Sequence, residues 1–202
     1  MKKYIVLALI ILLTGCNSFI SDRQMILDAP KTLKYNKKNY YLKNDKDLGA
    51  VARYVYFQKK ADSKNWNSSI ELLLDRNKDA LSLAERIDLR KKVYTNTGVE
   101  HFDLYEKDDT LYAFVIHAPT EQQNNWQINV SKGKDLEGCG FVQYQYSLKI
   151  PKTQKLVKMG KVKLIGYLKK YAVDKELERL IKAEWTLKCK PAPLDTLQPN
   201  EQ

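Results

Sequence analysis

The spacing of apolar positions changes along this chain, and the changes mark its elements. Residues 32–43 alternate loosely between polar and aromatic side chains, which predicts a strand or hairpin. Arg53 to Gln58, β-branched and aromatic with a charged end, predicts a firmer strand. The spacing then lengthens. Trp66, Ile70, Leu73 and Leu74 stand at i, i+4, i+7 and i+8, the apolar stripe of a helix ending near Arg76. Ser82-Leu83-Ala84-Glu85 has the spacing of a capping box. It predicts a second helix from Leu83 towards Thr95, with Leu83, Ile87, Val93 and Tyr94 among its apolar positions and Asn96-Thr97-Gly98 as its stop.

From Val99 the period is two. Val99 to Glu106 and Thr110 to Ala118 flank Lys107-Asp108-Asp109 as a hairpin, and Pro119 ends its second strand. Trp126 to Val130, Gly140 to Ile150, Lys161 to Tyr167 and Trp185 to Cys189 read as further strands; Asp174 caps a short helix through Ala183. The pattern predicts an α+β fold: a mostly antiparallel sheet, two consecutive helices near the front and one short helix near the C-terminus. It divides the chain into residues 1–15, a tether over 16–31 in which Met25, Ile26 and Leu27 can already pack on the body, a single domain over 32–190, and a disordered tail over 191–202 carrying three prolines.

The first of these pieces carries the sharpest signal. Lys2 and Lys3 precede an unbroken apolar run, Tyr4 to Leu13. Ten helical residues span roughly 15 Å, half of a bilayer's hydrocarbon core, so the run suits a signal segment rather than a membrane span. It ends in Leu13-Thr14-Gly15-Cys16, which resembles the lipobox of bacterial lipoproteins. The resemblance covers residues 1–18 and implies cleavage before Cys16, a diacylglycerol on its sulfur and an acyl group on its new amine. A single chain anchors marginally and two or three hold stably. Asn17, not Asp, follows the cysteine; in enterobacterial members that implies export to the outer membrane, with a Gram-positive plasma membrane as the other setting.

The sequence carries a formal charge of +11, two of it from Lys2 and Lys3, and lysine rather than arginine supplies most of it. A basic domain held at a membrane faces anionic lipid, lipopolysaccharide phosphate or acidic wall polymer. An ordinary solvated surface rich in lysine is the plainer account. Two cysteines remain in an oxidising compartment, Cys139 and Cys189, and read most simply as one disulfide between neighbouring strands. A reactive thiol at Gly138-Cys139-Gly140 is the alternative.

Lys149, Lys152, Lys155, Lys158, Lys161, Lys163, Lys169 and Lys170 follow one another with no acidic residue among them, flanked by Tyr144, Tyr146, Tyr167 and Tyr171. A basic loop bordered by aromatics suits a polyanion: lysines as point charges, rings to stack on sugars. Export argues against nucleic acid and for a phosphorylated glycolipid, a wall polymer or an exported protein. Gln122 to Trp126 has the character of a carbohydrate-contacting loop or of a plain loop whose tryptophan enters the core.

No metal or cofactor is expected. His101 and His117 should point to opposite sides of the hairpin, with Glu100 opposite His117, and Asp108-Asp109 reads as turn chemistry. No nucleophile, zinc or phosphate-loop motif is present. These readings favour a non-enzymatic lipoprotein presenting a basic surface. An immunity-type lipoprotein binding one exported protein is the alternative, and an envelope-polymer hydrolase using His117, Glu100 or Cys139 the third reading.

Overall fold

Paired left-handed residues at two turns set the register of the sheet. The computed structural model describes residues 24–193; the expected signal segment, Cys16 and residues 194–202 lie outside the described residues. Strand β1 (Met25–Leu27) is followed by β2 (Thr32–Tyr35) and β3 (Lys38–Asp47), joined through Asn36 and Lys37, both at positive φ. Next come β4 (Val51–Phe57), β5 (Ser68–Asp75) and helix α1 (Leu83–Asn96). Strands β6 (His101–Lys107) and β7 (Thr110–His117) turn at Asp108 and Asp109, again both at positive φ, as a two-residue hairpin requires. The long strands β8 (Asn125–Leu136) and β9 (Gly140–Pro151) follow. Then α2 (Gln154–Val157), α3 (Lys161–Leu168) and α4 (Asp174–Lys182) run on, α3 and α4 joined by a π-turn over Lys169–Val173. The last strand is β10 (Cys189–Pro191).

Eight strands form one antiparallel sheet in the order β2-β3-β4-β5-β9-β8-β7-β6, and β1 pairs with β10 in a separate two-stranded sheet. The compact unit spans Met25–Lys190; in the other unit Ala192 donates its N–H to the Gln24 carbonyl at 2.9 Å. Alternation assigns the two faces. Tyr40, Tyr56, Ile70, Leu72, Leu74, Val142, Tyr146, Val130 and Phe114 share one face with Leu164, Leu168, Val173 and Leu180 from α3, the π-turn and α4. The apolar members bury side chains worth roughly 1.5–3 kcal/mol each. Their phenols are satisfied: Tyr40 bonds Ser68 Oγ at 2.8 Å, Tyr56 donates to the Pro30 carbonyl at 2.9 Å, and Tyr35 donates to Glu176 Oε2 at 3.0 Å.

Helix α1 covers part of the opposite face, where Leu83, Ile87 and Tyr94 meet Leu104, Leu111, Ala113 and Phe141. Both arms of the expected capping box form between Ser82 and Glu85. Arg86, 4% exposed, fixes the helix to the sheet: Nη1 donates to Asp75 Oδ2 at 2.6 Å and the guanidinium lies 4.4 Å from the Phe141 ring centroid. Its Nε and Nη2 have no hydrogen-bond partner among the described residues, so this buried cation depends on one carboxylate there, and losing that partner would cost about 3–5 kcal/mol.

Four sequence expectations are corrected. Residues 66–76 hold no helix; Ser68–Asp75 is the strand β5, with Ile70, Leu72 and Leu74 in the core at period two. An apolar run of this length fits either period, and pairing on both sides by β4 and β9 decides it. Lys161–Tyr167 is helical rather than extended, because Leu164, Leu168 and Ala172, spaced by four, all enter the core while Val162 is 88% exposed. Val93, expected on the apolar side of α1, faces solvent. Residues 185–188 carry no strand, and β10 belongs to the small sheet, so Cys139 and Cys189 do not staple neighbouring strands of one sheet.

Candidate functional site

The lysine-rich segment is built on two short helices rather than on a hairpin loop. Thr153 caps α2, its hydroxyl accepting from the Leu156 N–H at 3.4 Å, and Gly160 begins α3. Leu156 and Leu164 turn inward, which leaves Lys152, Lys155, Lys158 and Lys163 exposed beside the exposed Val157 and Val162. Between α2, α3 and the end of the β7–β8 loop lies a cleft of about 260 Å3, lined by Pro119, Trp126, Lys152, Leu156, Met159 and Leu164 among others. Its lining is mostly apolar, and Lys152 is the charged residue in it.

The structure does not gather all eight lysines here. Lys149 sits on the opposite face of β9, its ammonium 4.1 Å from the Trp66 ring centroid, where burial lowers its pKa. Lys161 is paired with Glu100 at 2.9 Å and Lys169 with Asp174 at 2.8 Å. Lys170 stands 5.3 Å from the Tyr171 ring. Lys152, Lys155, Lys158 and Lys163 have no carboxylate partner among the described residues, and Lys155 lies 5.7 Å from the half-buried Tyr167 ring. Tyr146 is not available to a ligand. It is 5% exposed, with its ring centroid 4.5 Å from that of Tyr35, because its register position on β9 points to the core. Tyr171, exposed and 4.7 Å from Tyr167, takes the aromatic place at this surface.

The hairpin register sets His101 against Ile116 and therefore on the face opposite His117. His101 packs on Phe114 at 5.5 Å, and Glu100 turns to Lys161. His117 ends a line of side-chain amides: Gln123 donates to Gln127 at 2.8 Å, Gln127 to Asn129 at 2.9 Å, and Asn129 Nδ2 lies 3.3 Å from His117 Nε2. Cys139 stands in the turn after β8, nine residues or roughly 30 Å along that strand from the level of His117. The three groups considered for hydrolysis therefore do not converge. Instead, Cys139 and Cys189 stand at disulfide distance, their Cα atoms 6.2 Å apart.

Burial holds the His117 imidazole below its ordinary pKa of 6.5. The unfolded chain then takes up the proton more readily, so the contribution of His117 to stability is full above about pH 6.5 and declines as pH falls below it. The expected outcome is a urea midpoint that drops between pH 8 and pH 5, with a shallower drop in His117→Gln; equal slopes would place the acid sensitivity elsewhere.

One chemical group was missed in the sequence although its signal was present. Ile128, Val130 and Lys132 occupy successive positions on the core face of β8, and Lys132 is buried there.

The fold and cleft define an α+β domain built on one eight-stranded antiparallel sheet, with a mostly apolar groove bordered by Lys152 on its helical side. A model of one protein family matches residues 27–185, and an uncharacterized protein of Haemophilus influenzae is 40% identical over 195 residues, 94% of this chain and 99% of that one. The chain belongs to that family, although its globular region offered no family resemblance on reading the sequence. A mutant form of the protein Mog1 aligns over 76% of this chain and 97% of its own, at 12% identity and a TM-score of 0.37, a likeness too loose to carry any argument.

Proposed function

We propose that the protein is a non-enzymatic lipoprotein of the bacterial envelope, held through Cys16, whose α2–α3 surface lies on an anionic amphiphile such as an acidic phospholipid or a phosphorylated glycolipid. The observation that supports this reading is an apolar groove bordered by the unpartnered Lys152, with Lys155, Lys158 and Lys163 also exposed and without a carboxylate partner among the described residues on the same short segment as the exposed Val157 and Val162. Lysines attract phosphate, and the groove and exposed valines favour contact with acyl chains, a combination suited to a membrane surface. Each lysine near an anionic leaflet contributes about 1 kcal/mol.

The test uses soluble protein beginning at Asn17, titrated against anionic and neutral vesicles, lipopolysaccharide and wall fragments at low and moderate salt. Binding should favour the anionic surfaces and weaken with salt. Replacing Lys152, Lys158 and Lys163 together by glutamine should weaken it about a hundredfold. Salt-indifferent binding, or none, counts against the reading; a protein that co-purifies with the lipidated form in place of lipid binding would favour the immunity-type alternative. In the full-length chain Cys16→Ser should abolish processing and membrane retention.

A further inference from the structure

Below the end of α4 the chain crosses the sheet face at β8 and closes a pocket of about 120 Å3, walled by Tyr35, Tyr144, Leu180, Trp185 and Leu187, with the charged residues Lys34, Lys132 and Glu184 also in its lining. Lys132 is 6% exposed, and its ammonium donates to the Ala183 carbonyl at 2.5 Å. No carboxylate pairs with it among the described residues. An ammonium has three donors, so this bond leaves two. The indole N–H of Trp185 is also buried and has no acceptor. Lys134 adds positive charge, its ammonium 5.5 Å from the Trp185 ring centroid.

A buried cation without a counter-ion costs free energy, and Lys132 belongs to the lining of this pocket. Burial and the charge of Lys134 lower the pKa of Lys132. An anion bound beside Lys132 would supply the missing counter-charge. The aromatic and leucine walls would suit its apolar stem, and the volume, about that of four waters, limits it to a few heavy atoms. A phosphate dianion would place a second, uncompensated charge against those walls.

We propose that the Lys132–Trp185 pocket binds a small organic monocarboxylate, with Lys132 as its donor and the Trp185 ring as one of its walls. This site is separate from the α2–α3 surface, and the inference stands whether or not that surface meets a membrane.

Full-length protein in detergent micelles, labelled with 15N-tryptophan, gives three indole N–H signals for its three tryptophans; Trp185→Phe assigns the relevant one. Titration with sodium acetate, butyrate and benzoate should move the Trp185 signal saturably, with a midpoint on the order of 1 mM. Chloride and phosphate at matched ionic strength should leave it in place. Lys132→Met keeps the buried stem, removes the charge and should weaken the response at least about tenfold. Thermal melting gives a second readout: carboxylate should raise the wild-type melting temperature more than that of Trp185→Phe, which decides the matter if Lys132→Met does not fold. A Trp185 signal that stays still, that moves equally with chloride or phosphate, or carboxylate stabilisation undiminished in the variants, would overturn the proposal.

Discussion

Gly140→Ala is expected to destabilise the domain by about 4 kcal/mol, a large share of the 5–15 kcal/mol that holds a typical domain together. Gly140 sits at φ +110°, where an L side chain is strained, and a Cβ built there would lie 2.4 Å from the Asp75 carbonyl oxygen and 2.8 Å from the Arg76 Cα. Both obstacles are backbone, so no rotamer change relieves them. Strain at such a φ costs about 1–3 kcal/mol, and overpacking a similar amount. The site matters because β9 begins here and pairs with β5 through Phe141 and Asp75, the residues that also receive Arg86 from α1. Gly138→Ala is the control: its φ is +69° but no atom lies within 4 Å of the added Cβ. It should cost only about 1 kcal/mol. Urea denaturation of both variants measures the difference, and a Gly140→Ala cost no larger than that of Gly138→Ala would mean the strand end can move aside.

Loss of the Cys139–Cys189 link should have an effect of similar size. The two residues are 50 apart in sequence, and closing a loop of that length stabilises a fold by about 4 kcal/mol through the unfolded chain. The link ties the turn between β8 and β9 to the segment that follows α4, which has no regular structure from 184 to 188. That segment includes Trp185 and Leu187, so the tie also limits how far the wall of the Lys132 pocket can open. Replacing both cysteines with serine, or adding reductant, should lower the urea midpoint accordingly. Mass analysis after reduction and alkylation should then show Cys139 and Cys189 newly reactive. A loss under about 1 kcal/mol would mean that packing alone holds the segment in place.

The lysine segment shows how far charge pattern can be read without geometry. An unbroken basic run marked a candidate surface, and Lys152, Lys155, Lys158 and Lys163, on or beside α2 and α3, stand exposed without a carboxylate partner among the described residues. The pattern could not report that Lys161 meets Glu100, that Lys169 meets Asp174, or that Lys149 lies on the other side of the sheet. Tyr146 was chosen as a flank by its proximity in sequence, while its parity on β9 had already directed it inward.

Short-range chemistry was decisive wherever one element supplied its own signal. The turn at Asp108-Asp109 and the register it imposes, the cap of α1 at Ser82 and Glu85, and the alternation of β9 all follow from neighbours within a few residues. The resemblance of Leu13 to Cys16 to a lipobox is equally local, and it lies outside the described residues. Residues 66–76 and 161–167 are different, because each carries a pattern that both periods can accommodate. For Ser68–Asp75, hydrogen bonding from β4 and β9 on either side made the strand. For Lys161–Leu168, a core already floored by the sheet accepted Leu164 and Leu168 one turn apart and left Val162 in water. The Lys132 pocket belongs wholly to this second kind. A lysine at a core position acquires a meaning only when residues more than fifty places later fold back over it, and no local pattern can encode that meeting.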